Sequence, residues 1–153
     1  MAKRILLIGG LSTDSQDIES LQEFSAYLRA TVPESTLVST HIDQIEYYIS
    51  PTEMTFRDYV SGKSLEDFDQ IIIRGPKMRI LSEFAFYVSY ICNLTNIPLF
   101  NDYSLYYPGT KVAQALVFAE HGALFPATMF STQISKLIES AEAVFSYPYI
   151  LKT

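Results

Sequence analysis

The run Arg4-Ile5-Leu6-Leu7-Ile8, ended by Gly9-Gly10, constrains this chain more than any other stretch. Its hydrophobicity is continuous rather than alternating, the pattern of a parallel strand buried on both faces. Residues 15–30 then place Ile18, Leu21, Phe24 and Leu28 on one helical stripe, with Asp14, Asp17 and Glu19 near the positive end of the helix. Pro33 closes that helix, and residues 36–40 read as a second strand. A strand–helix–strand opening implies an α/β domain with a right-handed crossover.

The middle of the chain changes pattern. Ile45-Glu46-Tyr47-Tyr48-Ile49, a Ser50-Pro51 break and Met54-Thr55-Phe56-Arg57 read as short strands around a turn, with a helix over 55–59 as the competing reading. Residues 65–69 form a short helical or turn approach to Gln70-Ile71-Ile72-Ile73, a buried strand stopped by Gly75-Pro76. A largely buried helix is expected over 80–93 and a fourth strand over 97–101. Residues 103–107 read as a turn or short helix. Thr110 is an N-cap for a helix over 111–121 that Gly122 ends. A strand near 128–130, a helix over 132–141 and a closing strand at Tyr149-Ile150-Leu151 complete the expectation. The fold class is therefore α/β: an open, mainly parallel sheet flanked by helices over 1–102, followed by a small incomplete α+β segment over 103–153.

Composition narrows the function classes. Of 153 residues 48% are hydrophobic, 14% aromatic and 18% charged, which is the profile of a folded domain and not of a disordered tail. The net charge of −6 argues against non-specific nucleic-acid binding, which needs a basic surface. A lone cysteine, Cys92, makes no internal disulfide, and with only two histidines a structural zinc site is not expected. No stretch approaches the ~20 apolar residues of a membrane span, and the first apolar run is too short for a signal peptide. A soluble cytoplasmic protein is the expectation, with no nucleic-acid or membrane partner.

Common site signatures are missing. Gly9-Gly10 follows a strand, but no third glycine completes a dinucleotide fingerprint, and a phosphate-cradling Gly-rich loop ending in Lys-Ser/Thr is absent. Gly9-Gly10 is read as a tight turn. His41 at a strand end, His121 at a helix end and the core residue Cys92 are weak candidates for chemistry. Tyr103, Tyr106 and Tyr107 could line a pocket or form a wall between subdomains. Two polar residues stand out instead. Arg74 follows Ile71-Ile72-Ile73 and Asn101 follows Pro98-Leu99-Phe100. Ligands of open parallel sheets collect beyond the carboxyl ends of the strands, so both side chains are expected to face one substrate crevice, the competing reading being that Arg74 pairs with a local carboxylate and Asn101 caps a turn. Lys111, at a helix start, and Lys152, after the last apolar strand, carry compact charges suited to phosphate oxygens.

From Asp67 onward the ordered set of these pieces resembles the ATP-grasp superfamily, in the branch of ribosomal-protein glutamate ligases and related peptide ligases. The residues concerned are Asp67-Phe68-Asp69-Gln70-Ile71-Ile72-Ile73-Arg74, Asn96-Ile97-Pro98-Leu99-Phe100-Asn101, Thr110-Lys111, Phe125-Pro126-Ala127-Thr128 and Tyr147-Pro148-Tyr149-Ile150-Leu151-Lys152. The resemblance implies a pre-ATP-grasp domain over 1–102 and the beginning of an ATP-grasp nucleotide-binding domain over 103–153. It implies ATP and Mg2+ as cofactors of the full-length enzyme, with Lys111 and Lys152 at the nucleotide phosphates. Thr110 stands where the family often has an acidic residue, and Thr153 where it often has proline.

The family's glycine-rich loop, adenine segment and magnesium ligands lie beyond the second lysine. The expectation is thus the N-terminal portion of an ATP-dependent carboxylate–amine ligase working through an acyl phosphate. The 153 residues by themselves are expected to be inactive, to hold no metal and to bind no cofactor tightly. Its partners would be the remainder of the ATP-grasp domain and a small-molecule or peptide carboxylate and amine. The alternative is a stand-alone, non-catalytic α/β binding or dimerisation module, whose exposed apolar surface around 103–107 and the C-terminal strand would pair with another chain or, as a homodimer, with itself.

Overall fold

The computed structural model describes residues 2–75, 81–105 and 108–145. The first strand, β1 (Arg4–Gly9), is buried from Ile5 onward. Helix α1 (Ser15–Thr31) starts at Asp14, whose side chain accepts from the amides of Gln16 and Asp17. Strand β2 (Thr36–His41) pairs parallel to β1, with Leu6 opposite Val38. Strand β6 (Gln70–Ile73) pairs parallel on the other side of β1, with Leu7 opposite Ile72, and β7 (Leu99–Phe100) extends the sheet from β6. The order β2-β1-β6-β7 is the mainly parallel sheet that the sequence predicts. The last strand is shorter than the expected 97–101, because Asn101 turns into the left-handed region at φ 65° and ends it.

Alternation along the strands splits the apolar side chains between two layers. Ile5, Leu7 and Ile72 meet Leu21, Phe24 and Leu28 of α1 on one face. Leu6, Ile8, Ile71 and Ile73 meet the other face, where α2 (Ser82–Thr95) supplies Ala85, Phe86, Val88 and Ile91. Helices on both sides explain why β1 and β6 read as continuous apolar runs.

A second sheet, antiparallel and ordered β5-β4-β3-β8, accounts for the middle of the chain. It comprises β3 (Ile45–Ile49), β4 (Met54–Asp58), the short β5 (Lys63–Ser64) and β8 (Thr128–Phe130). The strand reading of residues 54–57 therefore holds over the helical one. Tyr47 lies opposite both Phe56 and Phe130, and this aromatic row rests on Tyr87 of α2, whose ring centroid is 5.5 Å from that of Tyr47. Aromatic pairs across strands are a main source of sheet stability.

Helix α3 (Lys111–Glu120) begins at Thr110, whose hydroxyl accepts from the amide of Ala113 at 3.3 Å, and ends before Gly122 at φ 63°. Its Val112, Ala113, Ala115 and Leu116 join the same core as α2, so one apolar core runs across residue 102. Helix α4 (Ile134–Val144) starts two residues later and ends three residues later than expected. The expected closing strand at 149–151 lies outside the described residues. Among the described residues, no helix is long and apolar enough to cross a membrane.

Candidate functional site

The connections of the parallel sheet dictate where a crevice opens. From β1 the chain passes to β2 on one side, then returns to β6 on the other. Such a reversal of strand order leaves a gap at the carboxyl ends, the usual ligand position in open α/β sheets. Here the gap between β1 and β6 is closed. Gly10 and Gly75 come so near that a Cβ on Gly75 would lie 3.0 Å from the Gly10 nitrogen. Beneath them Asp17, wholly buried, accepts from the amide of Leu11 at 2.8 Å. A carboxylate on that amide makes the turn a poor phosphate cradle and supports the reading of Gly9-Gly10 as a structural turn.

The open space lies one strand over. A cleft of about 310 Å³ is lined by Ser20 of α1, Arg74 and Gly75 after β6, and Asn101 and Tyr103 after β7. Arg74 and Asn101 thus share one crevice at the carboxyl edge of the sheet. The Arg74 guanidinium stands over the Phe24 ring at 4.4 Å, a cation–π distance. No carboxylate pairs with it among the described residues. Asn101 tolerates its left-handed backbone because its short polar side chain bonds locally. Its Nδ2 donates to the Ile73 carbonyl at 2.7 Å, fastening the end of β7 to the end of β6.

The remaining candidates fall elsewhere. Lys111 is exposed at the first residue of α3, donates to Gln114 Oε1 at 3.0 Å, and does not line the cleft. Lys152, Tyr106 and Tyr107 lie outside the described residues, whereas Tyr103 does line it. Tyr87 ties α2 to the start of α3: its hydroxyl donates to Glu83 and meets Thr110 Oγ1 at 2.6 Å. Burial and the Glu83 carboxylate hold this phenol well above its ordinary range. His41 shares the Gly10 carbonyl with the Ile42 amide, through Nδ1 at 3.2 Å. His121 Nδ1 sits 2.9 Å from the Val117 carbonyl, the helix-end role expected of it. Burial pushes the Cys92 thiol up to about 12, so it packs and does not react.

Ser20, Gly75 and Phe24 were not read as site residues from the sequence. Ser20 and Phe24 are four apart on α1, and that spacing is the one signal that could have placed them on a common face. Among the described residues no group of three or more His, Cys, Asp or Glu side chains could hold a metal ion. The described residues therefore offer no such cluster to the magnesium that the resemblance implies.

No family model, curated protein or solved structure matches this chain.

Proposed function

We propose that this chain is the N-terminal part of an ATP-dependent carboxylate–amine ligase, contributing the substrate-side α/β layer and the opening of the nucleotide-binding unit. The observation that carries the reading is the shared cleft: Arg74 and Asn101, from neighbouring strand ends, line one space with a guanidinium that no carboxylate among the described residues pairs with. An arginine fork is well matched to a carboxylate. Further support comes from Lys111, which opens α3 with an exposed ammonium ahead of the Pro126-Ala127-Thr128 step, in the order that the resemblance implies. In this reading residue 102 divides two roles rather than two cores. ATP would meet Lys111 and Lys152, and the acid would meet Arg74 and Asn101. Phosphoryl transfer depends on positioning and on charge neutralisation by a metal, which the rest of the ligase would supply.

The test uses the native product of the full gene with ATP, Mg2+ and pools of amino acids and amines. ADP formation that requires both an acid and an amine, and falls at least about tenfold in Lys111→Ala, supports the ligase reading. Acid-independent ATP hydrolysis, or none, removes it.

A second reading rests on a different observation. Leu105, Leu124, Phe100 and Ile134 are 95%, 96%, 57% and 56% exposed. A stand-alone module that pairs with another copy of itself would cover some of it. Light scattering on the 153-residue chain distinguishes the two readings: a defined dimer favours the module.

A further inference from the structure

We propose that the cleft beyond β6 and β7 binds a small carboxylate bearing an N–H or O–H donor beside its carboxyl group, that is, an α-amino or α-hydroxy acid. This names the acid of the ligase reading and rests on that reading only for what the bound acid is used for.

Two complementary groups make the argument. Arg74 is the one charged side chain among the described lining residues. The guanidinium carbon stands over the Phe24 ring, at 4.4 Å. A contact with a ring carbon face is not a conventional N–H···O bond, so the guanidinium keeps N–H donors to offer a carboxylate, two parallel bonds at a time. Asn101 supplies the opposite chemistry. One hydrogen of its amide nitrogen goes to the Ile73 carbonyl at 2.7 Å, and a carbonyl can accept only from a donor, which fixes the amide's orientation. What this leaves for a ligand is Oδ1, an acceptor, beside the second Nδ2 hydrogen. Ser20 adds a hydroxyl able to serve either way. A ligand satisfying both Arg74 and Asn101 carries an anion and a donor together. At about 310 Å³ the space sits at the bottom of the range for ligand sites, which suits a small metabolite rather than a nucleotide.

The experiment is an amide-detected NMR titration of the 153-residue chain with L-alanine, L-lactate and propionate, without ATP. We expect L-alanine or L-lactate to shift the Ser20, Gly75, Asn101 and Tyr103 amides saturably. Which of the two binds tighter separates the amino acid from the hydroxy acid. Propionate, which lacks the donor, should bind about tenfold more weakly or worse. Arg74→Gln should abolish saturation with the spectrum otherwise unchanged. Phe24→Leu, which keeps the helix apolar but removes the ring under the guanidinium, should weaken binding severalfold. Equal binding of propionate, no saturable shift with either acid, or unchanged affinity in Arg74→Gln overturns the proposal. Acid binding without ATP turnover by the full gene product would uphold this inference and remove the ligase role. Turnover with no acid held in this cleft would do the reverse.

Discussion

Gly10 lies directly on the carboxylate of Asp17: a Cβ at this glycine would stand 2.0 Å from Oδ2 and 2.5 Å from Oδ1. Asp17 cannot retreat, since it is wholly buried and its Oδ2 holds the Leu11 amide. The pair closes the gap between β1 and β6 and leaves the neighbouring cleft as the open space.

Gly10→Ala should therefore destabilise the chain by about 1–3 kcal/mol, the usual cost of overpacking. Gly109, with φ 66° and nothing within 4 Å of an added Cβ, offers a contrast. There alanine should cost only the left-handed backbone penalty, about 1–2 kcal/mol. Urea unfolding of both variants checks the mechanism, because only Gly10→Ala should also shift the Leu11 amide resonance.

Asp58 joins the two sheets. From β4 it accepts from Thr40 Oγ1 of β2 at 2.8 Å, and its carboxylate also holds the amides of Val60 and Ser61 at 3.2 and 3.1 Å. It is 1% exposed. Asp58→Ala strands the buried Thr40 hydroxyl and frees two loop amides, and should cost about 1–3 kcal/mol in chemical denaturation. Thr40→Val, which removes one partner, should cost less.

The Arg4–Asp69 pair, 3.0 Å apart, clamps the beginnings of β1 and β6. The guanidinium holds the Asp69 carboxyl at about 2, below its ordinary 3.8. Its unfolded form binds more protons between those values, so its contribution is complete above about 3.8 and is lost as pH falls through about 2. An NMR titration should place the Asp69 midpoint near 2, and Arg4→Gln should return it toward 3.8. Because the pair is exposed on both sides, added salt should erode the difference.

Cys92 should resist labelling. Burial lifts its thiol from 9.0 to about 12, which lowers the thiolate fraction near neutral pH by about a thousandfold. A thiol reagent at pH 8 should react with the native chain only at the rate of opening, and at once in guanidinium chloride. Rapid native-state labelling would contradict the packing of α2.

The sequence by itself determined the local elements. The apolar run of β1, the stripe of α1, the Ile71-Ile72-Ile73 strand, the Thr110 cap and the Gly122 stop are each written within a few residues, because side-chain periodicity and capping act over one or two turns. It also placed Arg74 and Asn101 at strand ends, and parallel topology supplied the crevice. Other features have no local signal. Strand β8 returns to pair with β3, about eighty residues earlier, a partnership in which Tyr47 is buried between Phe56 and Phe130. The sequence places Asp17 near the positive end of α1 and says nothing of its burial, yet two loops meeting over it make it wholly buried. The ring of Phe24 lies under Arg74 because α1 packs across the carboxyl edge of β6, a contact between residues fifty apart. Pairing and packing over such separations depend on the shape of the whole core, which no stretch of sequence contains, and they decided that the polar strand ends share one cleft.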